Sequence, residues 1–398
     1  MNKSGFVLLT LGVALSSGLD AQAQSAKFEP GKLAILRVGD GTSSFKERQN
    51  PVFIDQYDCA TLNQDHPSFT VTIPTHGTNA IWINGNAFTE GGMERSADHS
   101  ILTFPGYCGD ILSKKGTPSR LDFARGICAV NADAVSSIAC QGSGWYSLSN
   151  FKTNPRDVVS DGSNDYWGAG SAMGTLFYNA NGGSDVIPFK LVPSTRAVKI
   201  INNTLYFSIM ASDGKEDDAN AAGGIYSFAN ATGAAVALPK AAGAVPTLAI
   251  AAATPYTHTV GFDISPQGNV AYLADVNYGI QKYVKSGSDW KLACNFYIPG
   301  YNGENTGILT NAASTTVRAG CFGIAVDFSA AHPILYATTT DAAGWQGVNV
   351  NSNRLIRIDD TNSLTSGETI TNFPQVLATA GGTNMAFRAV AFTPERRL

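Results

Sequence analysis

Phe387-Arg388-Ala389-Val390-Ala391-Phe392-Thr393-Pro394 decides the architecture of this chain. It is a short apolar run closed by a proline, and only Glu395-Arg396-Arg397-Leu398 follows it. Five more stretches read the same way: Met93-Glu94-Arg95-Ser96-Ala97-Asp98, Arg156-Asp157-Val158-Val159-Ser160-Asp161, Arg196-Ala197-Val198-Lys199-Ile200, Val260-Gly261-Phe262-Asp263-Ile264 and Ile324-Ala325-Val326-Asp327-Phe328. Each of these is followed by a polar turn and a strand rich in aromatic residues, such as Asp165-Tyr166-Trp167-Gly168 or Thr204-Leu205-Tyr206-Phe207-Ser208. The stretch at 387–394 has no such follower. Its missing partners lie at the other end, in Lys32-Leu33-Ala34-Ile35-Leu36-Arg37-Val38 and Pro51-Val52-Phe53-Ile54-Asp55-Gln56-Tyr57.

A recurrent unit of short strands that cannot bury both faces alone predicts blades packed around an axis. The expected fold is therefore all-β: a β-propeller of six blades, closed by pairing the C-terminal inner strand with N-terminal strands. Seven blades are the alternative if one blade is divergent. Helix signals are nearly absent; apolar residues alternate in short runs between Gly, Asn, Asp, Ser and Pro clusters. The alanine-rich stretch 219–253 reads as an insertion around two strands, Gly224-Ile225-Tyr226-Ser227-Phe228 and Ala234-Ala235-Val236-Ala237-Leu238. No linker separates two cores, so 24–398 is expected to be one domain.

The start reads as an export signal. Lys3 is its positive region, Phe6 to Ala14 its apolar stretch, and Ala21-Gln22-Ala23 a small-x-small cleavage site. Cleavage after Ala23 makes 1–23 a signal peptide and the mature protein secreted or periplasmic. That apolar run is too short for a stable membrane anchor, and nothing later is long enough to span. Net charge is −4, which argues against bulk attraction to nucleic acid. The chain has 6 cysteines, all beyond the signal, and an even count in an exported chain favours disulfides. Cys128 and Cys140 are equidistant from a turn near Asp133-Ala134, which suggests a pair across a hairpin. The absence of a CxxC pair argues against zinc. Asn202-Asn203-Thr204 and Asn230-Ala231-Thr232 are glycosylation sequons, relevant only if the host glycosylates exported proteins.

Several segments resemble a family of exported bacterial β-propeller proteins of unknown function, many carrying a PEP-CTERM sorting tail. They are Phe28-Glu29-Pro30-Gly31-Lys32-Leu33, Arg37-Val38-Gly39-Asp40-Gly41, Pro51-Val52-Phe53-Ile54-Asp55, Glu94-Arg95-Ser96-Ala97-Asp98, Gly279-Ile280-Gln281-Lys282-Tyr283 and Asn384-Met385-Ala386-Phe387-Arg388-Ala389-Val390-Ala391-Phe392. The resemblance implies a propeller fold and export, and it brings no catalytic residues. The sequence ends without the tail, which points to free export rather than surface anchoring.

Aligned repeats place Arg156, Arg196 and Arg388 at one position, with Arg95 two residues further along. Val260 and Ile324 stand there in the other two blades. Guanidiniums gathered at a channel mouth would attract carboxylates, phosphates or sulfates. The structural alternative is that each pairs with a loop carboxylate and ties blades together. His258, two residues before Val260, is the candidate for acid–base work because imidazole titrates near neutral pH; the alternative is a structural hydrogen bond. Glu94, Asp157, Asp263 and Asp327 sit on or beside inner strands, and a calcium-dependent hydrolase would use such oxygens. Asp213, Glu216, Asp217 and Asp218 form a denser acidic cluster whose spacing is not that of an EF-hand; it reads as a solvated loop. Trp82, Trp145, Trp167, Trp290 and Trp345 could stack on sugars or fill the core. No HExxH or GxSxG pattern occurs.

The reading that fits is an exported, monomeric propeller that binds a small anionic molecule, a glycan or a partner protein at its channel face. The alternative is a metal-dependent hydrolase, lactonase-like or a phosphoesterase, at the channel mouth. Whether the protein is an enzyme is left open by these residues, and no cofactor other than calcium is suggested.

Overall fold

A computed structural model describes residues 27–42, 44–45, 49–87, 89–111, 123–142, 154–171, 174–181, 186–188, 194–210, 222–230, 232, 234–253, 258–276, 279–299, 318–340, 353–361 and 373–397. These form six antiparallel blades around a channel, each built on four strands, and no α-helix occurs among them. Ile81–Asn84 and Gln49–Asn50 extend the sheet of blade 1, and Ile298–Pro299 pairs with Arg318–Ala319 as a separate ribbon. Blade 1 runs Glu94–Arg95, Ile101–Cys108, Arg125–Asn131, Ser136–Gly142 from the channel outward. Blade 2 is Pro155–Ser160, Asp165–Gly170, Leu176–Asn179, Val186–Pro188. Blade 3 is Thr195–Ile201, Thr204–Ile209, Gly224–Ala229, Val245–Ala251. Blade 4 is Thr259–Ile264, Val270–Asp275, Gly279–Ser286, Asp289–Phe296. Blade 5 is Cys321–Asp327, Ile334–Thr339, Arg354–Asp359, Gln375–Thr379.

Blade 6 joins the two ends of the chain. Ala386–Phe392 lies innermost, then Leu33–Val38, Val52–Tyr57 and Phe69–Thr72. Leu33 faces Phe392 and Val38 faces Ala386. Beyond the strand, Thr393 donates its N–H to the Lys32 carbonyl at 2.9 Å, and its hydroxyl donates to the Glu29 carbonyl at 2.7 Å. Closure through residues 387–393 is thus as the sequence predicted.

Five of the six inner strands carry a β-bulge near their start. The register slips between Pro155 and Asp157, between Thr195 and Val198, between Thr259 and Gly261, between Cys321 and Ile324, and opposite Ile35–Arg37 in blade 6. A bulge bends its strand and re-aims side chains. The bulges of blades 3 and 5 are pinned alike: the second-strand hydroxyls of Ser208 and Thr338 each accept an amide N–H, from Ala197 and Gly323, at 3.0 Å. The inner strands also approach one another closely. A Cβ on Gly323 would stand 2.8 Å from Ala389 Cα, and one on Gly92 would stand 2.6 Å from the Asp157 carboxyl.

Two expectations need correction. The alanine-rich stretch is not an insertion: Gly224–Ala229 is the third strand of blade 3 and Val245–Ala251 its fourth. Only the short Ala235–Val236 strand pairs as an extra, against Phe228 and Ala229. Nor does the hairpin of blade 1 bring Cys128 to Cys140. A bulge between Ile127 and Cys128 sets Cys128 opposite Ile138 and Cys140 opposite Ile127. Cys128 is a free, fully buried thiol, and burial in apolar surroundings pushes it above the ordinary thiol range. Trp82 and Trp167 are fully buried; Trp82 stacks on Tyr107 at 4.6 Å, and Trp167 donates its indole N–H to the Pro239 carbonyl at 2.7 Å. They fill the core rather than a sugar site. Trp145, Trp345, the acidic cluster at 213–218 and the signal segment lie outside the described residues. No helix among the described residues is long and apolar enough to cross a membrane.

Candidate functional site

The bulges set the geometry of the channel. Arg156, Arg196 and Arg388 all stand at bulges, in blades 2, 3 and 6. All three are buried, with 5%, 5% and 2% of their surface exposed. They line a single cavity of about 40 Å³ together with Glu90, Glu94 and Asp157, room on the order of three water-sized groups. In blade 4 Val260 reaches the same cavity. In blade 5 the two-residue bulge brings Phe322 to this level beside Ile324, and its ring lies 5.4 Å from the Arg388 guanidinium.

Backbone carbonyls fix the guanidiniums in part. Arg156 donates from Nη1 to Thr195 O at 3.0 Å, from blade 2 to blade 3. Arg388 donates from Nη2 to Gly85 O at 3.2 Å. Burial lowers the Arg388 pKa to about 10, and the nearby Glu90 charge acts the other way. Glu90 is itself held in place: Oε1 accepts the Tyr107 hydroxyl at 2.8 Å and Oε2 accepts the Asn84 amide at 3.4 Å. Gly91, at φ +96°, lies against Arg388, where a Cβ would come within 3.1 Å of its stem. Gly92 donates its N–H to the Arg156 carbonyl at 2.8 Å. The Gly91-Gly92 pair lets the wall of blade 1 close on both neighbours.

Next to the arginines lies a layer of opposite composition. Lys199, on the inner strand of blade 3, places its ammonium 3.2 Å from Glu94 of blade 1 and 3.7 Å from Asp263 of blade 4. It also donates to the Ile324 carbonyl of blade 5 at 3.4 Å. Asp157 of blade 2 adds a third carboxylate to its field. Asp157 accepts amide N–H bonds from Val158 at 2.9 Å and Val198 at 3.0 Å. Asp263 repeats that bridge one pair of blades on, with Ile264 at 3.0 Å and Val326 at 3.1 Å. Burial raises Asp157 to about 7 against these amide bonds and the Lys199 charge. Burial likewise raises Glu94 well above the carboxylate range, opposed by Lys199 and reinforced by Asp157 and Asp263. Burial raises Asp263 too, again against Lys199. For Lys199, burial lowers the pKa, but the charges of Asp263 and Glu94 carry it above its ordinary value.

The four acidic candidates therefore do not form one site. Glu94, Asp157 and Asp263 gather around an ammonium, whereas Asp327 caps a turn, accepting the Ser329 N–H at 2.8 Å and hydroxyl at 2.6 Å. Calcium would require about six to eight oxygens in one shell. Among the described residues no group of three or more His, Cys, Asp or Glu is arranged to hold a metal ion.

Arg95 stands apart from the other arginines. Its Nη1 lies 3.3 Å from Glu395 and donates to Thr393 O at 3.4 Å, and its guanidinium sits 5.5 Å from the Phe392 ring. The inner strand of blade 1 is only two residues long, and Gly91 rather than Arg95 meets Arg388. The two-residue offset seen in the sequence thus carries Arg95 towards the far end of the strand, beside the C-terminal segment. His258 stands at the start of blade 4. Its N–H donates to the Asp275 carboxylate and its carbonyl accepts the Val276 N–H at 3.4 Å, and it is not among the residues lining the cavity. Sequence reasoning missed Lys199, Glu90 and the Gly91-Gly92 pair. Lys199 did leave a signal, as the one charged residue inside Ala197-Val198-Lys199-Ile200-Ile201.

Fold and site define a six-bladed β-propeller with a polar, charge-lined channel. No known family profile matches the chain, and no curated protein matches it. Solved structures do. One is a protein of Bacteroides fragilis NCTC 9343, provisionally assigned as a 6-phosphogluconolactonase. It has 13% identity and a TM-score of 0.45, covering 86% of this chain and 81% of that one. Another, from Bacteroides uniformis ATCC 8492 with the same provisional assignment, has 10% identity and a TM-score of 0.43 over 89% and 83%. A chain of the COPII outer coat vertex has 10% identity and a TM-score of 0.42 over 75% and 65%.

Proposed function

We propose that this propeller is an exported binding protein that takes a small anionic group at its channel. One observation carries the reading: Arg156, Arg196 and Arg388 come from three different blades and line one small cavity. Planar guanidiniums in a desolvated site recognise carboxylate, phosphate or sulfate strongly and directionally. Glu90, Glu94 and Asp157 line the same cavity. Tyr107 and Asn84 hold Glu90 in place and Lys199 pairs with Glu94, so an entering anion would meet a charged wall already ordered around the guanidiniums. The cavity admits an anionic head rather than a whole sugar, so a larger ligand would leave its body in the channel. Export rests on the pattern Lys3, Phe6–Ala14 and Ala21-Gln22-Ala23.

The hydrolase alternative draws no support from the acidic residues, since the ammonium of Lys199 stands where they converge. A thermal-shift series with sulfate, phosphate, chloride and short carboxylates tests the binding reading. An anion at about a hundred times its dissociation constant stabilises the folded state by about 2.7 kcal/mol, a rise in melting temperature that is easily read. The rise is expected in the wild type and lost in Arg196→Gln and Arg388→Gln. No rise with any of these anions would reject the site.

A further inference from the structure

Arginine cavity and carboxylate layer share a wall. Glu94 and Asp157 line the same cavity as Arg156, Arg196 and Arg388, and Asp157 directly follows Arg156 in the chain. Among the described residues, Arg156, Arg196 and Arg388 line the cavity with Glu90, Glu94 and Asp157; beside them stand Lys199 with Asp263, and Arg95 with Glu395. When all are ionised the two sets balance, so an entering anion leaves an uncompensated negative charge in a buried place. Unpaired charge there is costly, and the least demanding remedy is to neutralise a carboxylate. The carboxylates that can accept a proton are at hand: Glu94, Asp157 and Asp263 share a single ammonium.

We propose that an anion entering the Arg156–Arg196–Arg388 cavity is taken up together with one proton, which settles on the Glu94–Asp157–Asp263 cluster. The proton comes from solvent and bonds to a carboxylate oxygen; no other bond is made or broken. This inference rests on the anion-binding reading above and adds its regulation by pH. Asp157 is poised for the role, since burial brings it to about 7, and Glu94 is raised further in the same sense. Lys199 from blade 3 favours the ionised form of all three carboxylates, whereas Asp157 and Asp263 both push Glu94 towards its protonated form. Arg95, paired with Glu395, also feels Asp263.

Linkage fixes the expected behaviour. An anion raises the affinity of the cluster for a proton, so a proton must raise the affinity for the anion by the same factor. Between the titration of the free cluster and that of the anion-loaded one, coupling to one proton makes the association constant fall about tenfold for each unit rise in pH. Sodium sulfate is a suitable probe because its own charge is constant from acid to alkaline pH. Calorimetric titrations of the wild-type protein between about pH 6 and pH 9, in two buffers of different ionisation enthalpy, give affinity and proton count together. The expected result is sulfate binding that weakens on the alkaline side with about one proton taken up, and a shallower dependence in Glu94→Gln. Sulfate binding of equal strength at every pH, with no buffer-dependent heat, overturns the coupling and leaves the anion site standing. Absence of sulfate binding at every pH overturns both. The proton count comes from the wild type alone, so the conclusion does not depend on the variant folding.

Discussion

Arg388 belongs at once to the strand that closes the ring and to the wall of the cavity. Its alignment with Arg156 and Arg196 was legible in the sequence because all three stand near the start of inner strands that bulge at the same level. Arg95 misled for the same reason, since blade 1 has a two-residue inner strand with no such level to count from. Lys199 and Glu90 could not be paired with partners by reading, because their partners lie across the channel on other blades. The carboxylates around Lys199 lead to a prediction about stability. Asp157 is raised by burial from 3.8 to about 7 on folding, so its contribution is fully present below about 4 and is lost as pH rises through about 7. Glu94 and Asp263 shift in the same direction. Asp98, which burial would raise but Arg397 and its serine neighbours hold down to about 2, acts oppositely and only in stronger acid. The melting temperature is therefore expected to fall from about pH 5 to about pH 8, and Glu94→Gln to flatten that slope.

At the scale of blades, polar ties and close contacts join one element to the next. Lys282, on the third strand of blade 4, pairs with Asp360 at the end of the third strand of blade 5 at 2.7 Å, with 1% and 0% of the two side chains exposed. The Tyr272 hydroxyl donates to the same carboxylate at 2.5 Å. Breaking a buried pair by removing one partner typically costs about 3–5 kcal/mol. Lys282→Met is expected to lose stability on that scale in chemical denaturation, with Lys282→Met/Asp360→Leu recovering much of it. Contacts between inner strands leave less room. Gly323→Ala places a methyl 2.8 Å from the Ala389 backbone, and overpacking of this kind costs about 1–3 kcal/mol. Equilibrium denaturation would show it as a lower midpoint with an unchanged slope. The strand pattern of these blades was legible from alternation and turn residues. Asn202 and Asn203, both at positive φ, form the two-residue turn that such a pair suggests. The fourth strand of blade 3 was not legible: Val245–Ala251 is largely exposed or half-exposed, so it lacks the alternation that marks a strand packed on one side.

For the whole molecule, closure is the determining event. The sequence revealed it through an inner-strand pattern at 387–394 without an aromatic follower and two strand patterns, at 32–38 and 51–57, without an inner strand of their own; the two pair as one blade. Deleting 386–398 removes the inner strand of blade 6, the Arg388 wall of the cavity and the Thr393 bonds to Glu29 and Lys32. A ring lacking that strand exposes the edge of Leu33–Val38, an open template for other chains. Such a truncation is expected to lose cooperative thermal unfolding and to associate, which light scattering during a melt would show. Adding residues 386–398 as a separate peptide would restore the transition if pairing alone is what is missing.

The bond between the Lys32 amide and the Thr393 hydroxyl joins groups 361 positions apart, and this turns geometry into timing. During synthesis Leu33–Val38 leaves the ribosome before the strands of the other five blades and its inner neighbour Ala386–Phe392 after them, so the innermost place in blade 6 stays vacant while those blades are made. Contacts of such sequence separation form slowly, and waiting strand edges are where growing chains stick to one another. The protein is therefore most vulnerable in the interval before Ala386–Phe392 emerges, and whatever shields that one edge until this strand arrives sets the yield of folded protein.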